Sequence, residues 1–368
     1  MISEKIKEIQ RVCEEICWKN RLSGTKGNKE ARKFIKNYLK RKGFKVYEED
    51  FSVTKTVPVS ARIKCEGEEF PAFPLIGSLW GETSGEVVIL KNLEEEKDLK
   101  GKVVALPVGG RRDSEKAKFL RDKKASGMVT FLEELDVPFS GTIGDVKFFA
   151  VNTTREIVKR IEGKNVILDI RTEKKEIKGK NLYVEFGRGP VLLLVAHYDT
   201  KPFVYGAIDN GLSVALLLVM SRELAGFQEI PFRIRILFTD CEELGLEGAS
   251  HHALHSKNIF YVINLDSIGW KNPAVLYEDA SGENGRLINE KLFKHLMDMK
   301  VDIPFVESKT GMSDHVPFKE KGAQTLFLSS DPFTLRHTQL DDYFAIDWEV
   351  VKVWYEVISY FVRRIHRL

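Results

Sequence analysis

The chain opens with apolar residues spaced three and four apart. Ile2, Ile6, Ile9, Cys13 and Ile16 form one stripe; Phe34, Ile35, Tyr38 and Leu39 form a second. That period predicts two amphipathic helices over 2–42, with Gly43 as the stop. An alternating strand follows over 44–51, after which the texture turns to Pro, Gly and short β-rich pieces near 87–90 and 103–106. Within this stretch a helix carrying Ala117, Phe119, Leu120 and Ala125 leads through Gly127 into the apolar segment 128–132. A strand at 167–170 and a Lys/Glu-rich connector, RTEKKEIKGK, close it.

From residue 181 onward the rhythm changes again. VLLLVA, IRILF, YVINL and TLFL read as buried strands, separated by helices near 212–224, 245–255 and 286–299, with a last helix from 348. Alternating strands and helices predict an α/β fold: a mixed, mostly parallel central sheet with helices on both faces, plus a smaller β-rich inserted domain. The composition shifts place the boundaries so that 1–51 and 179–368 form one discontinuous unit and 52–178 the insertion.

At 368 residues the chain exceeds the roughly 250–300 at which single cores stop growing, consistent with more than one domain. With 43% hydrophobic residues, global disorder is excluded. Lys and Arg number 57 against 54 Asp and Glu, interspersed, so neither nucleic acid nor an anionic membrane is an expected partner. The charged amino end lacks the apolar core of a signal peptide, and the longest greasy run, 212–220, is too short to span a bilayer; a cytoplasmic location is expected. Cys13 and Cys17, at helical spacing, read as core residues rather than as a disulfide framework. Nothing in the sequence signals an oligomeric state.

Polar residues sit where the strands end, the position at which open α/β sheets place ligands. VLLLVA runs into His197-Tyr198-Asp199, and period-two geometry aims His197 and Asp199 the same way. GAIDNG precedes an apolar helix; Asp209 there is either a turn-forming cap or a carboxylate bridging two metal ions. IRILFTD runs into Cys241-Glu242-Glu243, whose adjacent carboxylates suit two jobs, metal ligand and general base, or simply the first turn of a helix. YVINL ends in Asp266, and after TLFL a loop carries Arg336-His337-Thr338. Two imidazoles with hard carboxylates and no thiolate suit zinc, with cobalt or manganese as alternatives, in a two-metal hydrolytic site.

The segments HYD, GAIDN, CEELG, NLDSIG, SDHVPF and HTQLD, in this order, resemble the clan MH dinuclear zinc aminopeptidases, the group that includes aminopeptidase Y, bacterial leucyl aminopeptidases and the glutamate carboxypeptidase II relatives. LSGTKGNKEARKFIKNYLKRKGFKV extends the resemblance to most of 1–50 and 180–368. It implies two zinc ions, with His197 and Asp266 on one, Glu243 and His337 on the other, and Asp209 bridging them. Glu242 is then the general base and Asp199 the residue that orients His197. The middle region resembles a protease-associated domain through LKGKVVALPVGG, KAKFLRDKKASGMVTF and KFFAVNTTREIVKRI. One departure stands out: several relatives carry Tyr immediately before the histidine of HTQLD, where this chain has Arg336.

The resemblance implies a metal-dependent aminopeptidase acting on peptide substrates. A dinuclear zinc carboxypeptidase or dipeptidase is the alternative within enzymes. A glutaminyl cyclase-like activity uses one zinc, against which the full ligand set argues, and a receptor-like binding protein would have lost ligands. His251, His252 and His255 read as a solvated helix face, Asp314 and His315 as residues fixing a loop or pocket. Asp341 is expected as a helix-entry cap and Asp342 as a carboxylate behind the ligands.

Overall fold

The computed structural model describes residues 2–368 except 96, 228–229, 278–282 and 309–311. Helices α1 (Ile2–Cys17) and α2 (Lys26–Arg41) form where the amphipathic stripes predict them. Strands β1 (Tyr47–Cys65), β2 (Glu68–Pro74), β3 (Gly81–Ile89) and β4 (Val103–Pro107) follow, then α3 (Asp113–Asp122), β5 (Gly127–Phe131), β6 (Ala150–Asn152), α4 (Arg155–Ile161) and β7 (Asn165–Phe186). The second half runs β8 (Val191–His197), α5 (Leu212–Ala225), β9 (Arg233–Thr239), α6 (Glu247–His255), β10 (Ile259–Leu265), β11 (Pro273–Tyr277), α7 (Glu283–Met299), β12 (Phe305–Glu307), α8 (Val316–Lys319), β13 (Gln324–Ser330) and α9 (Trp348–Arg364).

The main sheet has the order β7-β9-β8-β10-β13-β11-β12, and β9, β8, β10 and β13 are mutually parallel. Antiparallel pairing of β7 with β9 and of β11 with β13 makes it mixed. Side chains alternate across β8: Leu192, Leu194 and Ala196 enter the large core with α1, α5, α7 and α9, whereas Val191, Leu193 and Val195 pack with Ala249 and Ala253 of α6 and Phe318 of α8. Both faces are therefore covered, which is why β8 reads as an unbroken apolar run. Helix α5 is almost apolar all round because it lies between the sheet and the helices α1 and α9. The described residues contain no helix long and apolar enough to cross a membrane.

The middle region closes on itself. Strands β1, β2, β6, β5, β4, β3 and β7 pair in that order, and β7 pairs back with β1. It carries cores of its own, one around Ile63, Val103, Val129 and Leu168, the other around Leu106, Ala117 and Met128.

The two sheets share the β1–β7 ribbon. Its register runs from Tyr47↔Tyr183 to Lys64↔Ile167, with an irregularity between Pro58 and Ser60. The segment RTEKKEIKGK, expected to be a connector, is strand throughout. Its side chains are mostly exposed apart from Ile177 and Gly179, so no apolar alternation marks it, and cross-strand hydrogen bonding to 51–60 holds it extended. The ribbon passes through residues 52 and 178 without a break, and the pair Phe51↔Gly179 stands at the sequence-derived boundary.

Candidate metal centre

All seven residues singled out from the sequence are brought together at the carboxyl ends of the parallel strands. His197 ends β8 and is 1% exposed. Its Nδ1 lies 3.2 Å from the Asp199 carbonyl oxygen and 3.6 Å from Oδ1 of the same residue. Nδ1–H therefore donates to Asp199, and Nε2 faces the site. That Nε2 is 3.2 Å from Asp209 Oδ1, 3.8 Å from Asp266 Oδ2 and 3.9 Å from Glu242 Oε2, and it is buried with no hydrogen-bond partner. The other Asp209 oxygen, Oδ2, is 3.2 Å from His337 Nε2, which in turn is 3.5 Å from Glu243 Oε2. Two groups result, His197/Asp209/Asp266 and Asp209/Glu243/His337, the ligand atoms of each within 4.8 Å of one another. Asp209 belongs to both. Glu242, 9% exposed, belongs to neither.

The elements that carry these groups are bent to do so. Cys241, Ser267 and His337 have φ of 61°, 63° and 59°, left-handed values that non-glycine residues adopt only where the surroundings enforce them. Asp199 supplies part of that enforcement: Oδ1 accepts the Glu242 N–H and Oδ2 the Glu243 N–H, both at 3.1 Å. It thus aligns the glutamate turn as well as His197. Asp341 does the same for Asp209, accepting the Ile208 N–H at 2.7 Å and the Asp209 N–H at 3.1 Å. The expected roles of Asp341 and Asp342 are exchanged, since Asp342 caps the short turn Tyr343–Ala345. Ser313 donates to Asp266 at 2.7 Å and itself accepts from Asn264, while Thr239 donates to Asp314.

Charge explains the strain in this cluster. Burial alone would push the His197 imidazole down, but Glu242, Asp199, Asp209 and Asp266 drive it well above its ordinary value. Burial opposes ionisation of Asp209, yet His197 and His337 hold its carboxyl well below the usual range. For Asp266, burial and Asp209 push upward, and His197 and Arg336 outweigh them. Burial carries Glu242 well above the ordinary carboxylate value, Asp314 to about 7 and Asp341 to about 8. Carboxylates are crowded out of water here around a buried imidazole nitrogen that has no hydrogen-bond partner. That donor set fits a divalent cation.

Several participants escaped sequence reasoning. Lys201, 5% exposed, lies 3.0 Å from Glu243 Oε2 and donates to the Glu243 carbonyl at 2.7 Å. Buried Arg21 donates to the carbonyls of Tyr198, Tyr205 and Gly206, fixing the loop between His197 and Asp209. Asp240 ties Ser23, Asn28 and Tyr198 together behind the glutamate turn. His252 is buried rather than on a solvated face: its ring meets Glu49 at 2.8 Å and Arg235 at 3.1 Å, because α6 packs on the β1–β7 ribbon. His337 is held from the middle region, where Ser140 N–H donates to its carbonyl at 2.8 Å, Phe139 bridges Thr338, and the Phe139 ring lies 5.5 Å from the imidazole. A cavity of about 1220 Å³ lies between the two parts, with Asp209, Glu242, Glu243, Asp266 and His337 in its wall.

The mixed α/β sheet with its site at the strand ends is a fold with solved counterparts. The structure of BSAP, a zinc aminopeptidase from Bacillus subtilis, superposes with a TM-score of 0.80 at 21% identity, covering 98% of this chain and 94% of that one. The model of peptidase family M28 matches residues 177–362, and the chain belongs to that family. Aminopeptidase YwaD of Bacillus subtilis is 32% identical over 161 residues, 39% of this chain and 33% of that protein. The probable leucine aminopeptidase 2 of Aspergillus oryzae is 23% identical over 333 residues, 82% of this chain and 66% of that one. The chain thus spans a third of the first relative's length and just under two thirds of the second's.

Bracing by Asp341 is open to a direct check. Asp341→Ala leaves two buried amides without an acceptor, at about 1–3 kcal/mol for each unsatisfied group. A lower Tm and weaker zinc binding in calorimetric titration are expected; a variant matching the parent in both would remove the bracing role.

Proposed function

We propose that the protein is a zinc-dependent aminopeptidase that removes amino-terminal residues from peptides. One observation carries the reading: the two oxygens of Asp209 each lie 3.2 Å from the Nε2 of a different histidine, so one carboxylate joins two ligand groups. Family membership supports a peptidase, and the aminopeptidase and zinc descriptions of its relatives support the direction and the metal. His197, Asp209 and Asp266 would hold one zinc ion, and Asp209, Glu243 and His337 a second. Bound zinc ions would supply Lewis acidity to the scissile carbonyl and acidity to the attacking water.

The chain's own groups account for the remaining steps. Glu242, buried at the cavity wall and outside both ligand groups, takes a proton from the attacking water and delivers it to the leaving amine. Asp199 keeps the His197 Nδ1 protonated and holds the amides of Glu242 and Glu243, so ligand and base keep a fixed spacing. The acidic cluster receives the substrate's ammonium group. Residues 52–178 act as a separate domain that walls the cavity and restricts it to short or unfolded chains, and through Ser140 and Phe139 they hold His337 in place.

Digestion of a mixed peptide library, read by mass spectrometry, tests the reading as a whole. Loss of residues from the amino end, abolished by a chelator and restored by zinc, is expected; cleavage from the carboxyl end, or undiminished activity in a metal-free preparation, refutes it. The glutamates separate in metal content. Glu242→Gln should bind both ions and lose about 10²–10⁴-fold in kcat, whereas Glu243→Gln should lose metal first and regain part of its activity with added zinc. Near-normal kcat in Glu242→Gln would remove it as the base. Replacing 52–178 by a two-residue turn, which the Phe51↔Gly179 pairing accommodates, should leave a folded core whose second zinc binds more weakly; equal affinity for both ions would show that Ser140 and Phe139 do not matter to His337.

A further inference from the structure

Arg336 is the one departure from the family pattern that the proposed reaction leaves without a task. It lies in the cavity wall beside His337, and its charge reaches Asp266. Its Nε is buried with no hydrogen-bond partner, and its guanidinium forms no ion pair among the described residues. Its Cζ lies 5.6 Å from the Phe333 ring, a contact that does not satisfy its N–H donors. A guanidinium offers a rigid fork of donors matched to a carboxylate, and leaving it unpaired at a partly dry wall is costly.

The surrounding wall has the same bias. Arg112, Lys147 and Lys174 of the middle region line the cavity, and none has an ion-pair or side-chain hydrogen-bond partner among the described residues. Two exposed acids, Asp145 and Asp331, also line it, and Asp113 is already paired with Lys116. Lys201, the other buried cation at the site, is bound to Glu243. Arg336 is therefore the unpaired cation that sits deepest, next to the ligands, with weaker positive charge at the rim.

We propose that Arg336 binds a carboxylate of the substrate, the α-carboxylate of a peptide two or three residues long, so that the enzyme favours short peptides with a free carboxyl end. This rests on the aminopeptidase reading above. The cavity has the capacity: at about 1220 Å³ it exceeds the roughly 300–1,000 Å³ typical of small-molecule sites, and the middle region closes one side of it. The acidic cluster takes the ammonium group and Arg336, beside it in the same wall, the carboxylate, so both charges of a short zwitterionic peptide are matched within one site.

The test uses the zinc-loaded full chain and compares Leu-Leu with Leu-Leu-amide. The free carboxylate is expected to be preferred about tenfold to a hundredfold in kcat/KM, mostly through KM. Arg336→Gln should lose far more on the free peptide than on the amide and so erase that preference, and Arg336→Lys, which keeps the charge but loses the fork, should restore part of it. Equal handling of the two peptides by the parent overturns the proposal. So does an equal loss on both in Arg336→Gln, the mark of a scaffold or oxyanion role. Leu-Glu-amide set against Leu-Gln-amide separates the sources of the carboxylate, and a preference found only there overturns the assignment to the chain end. Calorimetric binding of Leu-Leu and Leu-Leu-amide to the Glu242→Gln protein and to its Arg336→Gln double variant reads the same contact without turnover. If no peptide is cleaved, the aminopeptidase reading fails, and this binding comparison still decides the role of Arg336.

Discussion

Carboxylates that repel one another and have been taken out of water are the condition around which this protein is organised. Asp199, Asp209, Glu242, Glu243 and Asp266 meet at the ends of the strands with His197, His337, Lys201 and Arg336 to offset them, and no purely apolar packing would keep them there. Each is instead held by something rigid. Asp209 is fixed through the amides that Asp341 accepts, the glutamate turn through Asp199, and Asp266 through the Ser313 hydroxyl. The left-handed backbone at Cys241, Ser267 and His337 is part of the same price.

What a sequence reveals of such a site depends on how local the signal is. The parallel strands were legible because burial on both faces makes them unbroken apolar runs, and His197, Asp266 and the Glu242–Glu243 pair because they stand at or just after the end of one. The supports were not. Arg21 and the carbonyls of Tyr205 and Gly206 are far apart in the chain, Asp341 reaches back to Asp209, and Phe139 meets His337 from the loop between β5 and β6. No periodicity encodes such pairings, and an arginine or aspartate that satisfies backbone groups looks like any other charged residue until the fold places it. His252 is the same lesson on a helix: buried between Glu49 and Arg235, it is polar in sequence and interior in fact.

The β-rich half shows a second limit. Its strands β4, β5 and β6 carry apolar residues that mark them, but β7 between residues 171 and 178 is written almost wholly in Lys, Glu, Arg and Thr. Extended conformation there is imposed by the partner strand, not by the faces it presents, so binary patterning has nothing to report. The consequence reaches the site, since this ribbon joins the main sheet to the middle region whose loops bring Phe139 and Ser140 to His337 and Arg112 and Lys147 to the cavity wall.

The ribbon also decides which long-range contacts the chain must close. Tyr47 pairs with Tyr183 across more than a hundred intervening residues, and β7 must be in place before β9 has an antiparallel neighbour on that side. Joining two such distant points from a flexible chain carries a closure entropy that grows with the logarithm of the loop. Within the closed seven-stranded sheet β1 and β7 lie side by side at Lys64↔Ile167, and the same ladder continues to Tyr47↔Tyr183. Once the middle segment has closed, the pairing at Tyr47↔Tyr183 needs no further long loop, so the closure entropy falls on the β-rich segment and not a second time on the main sheet.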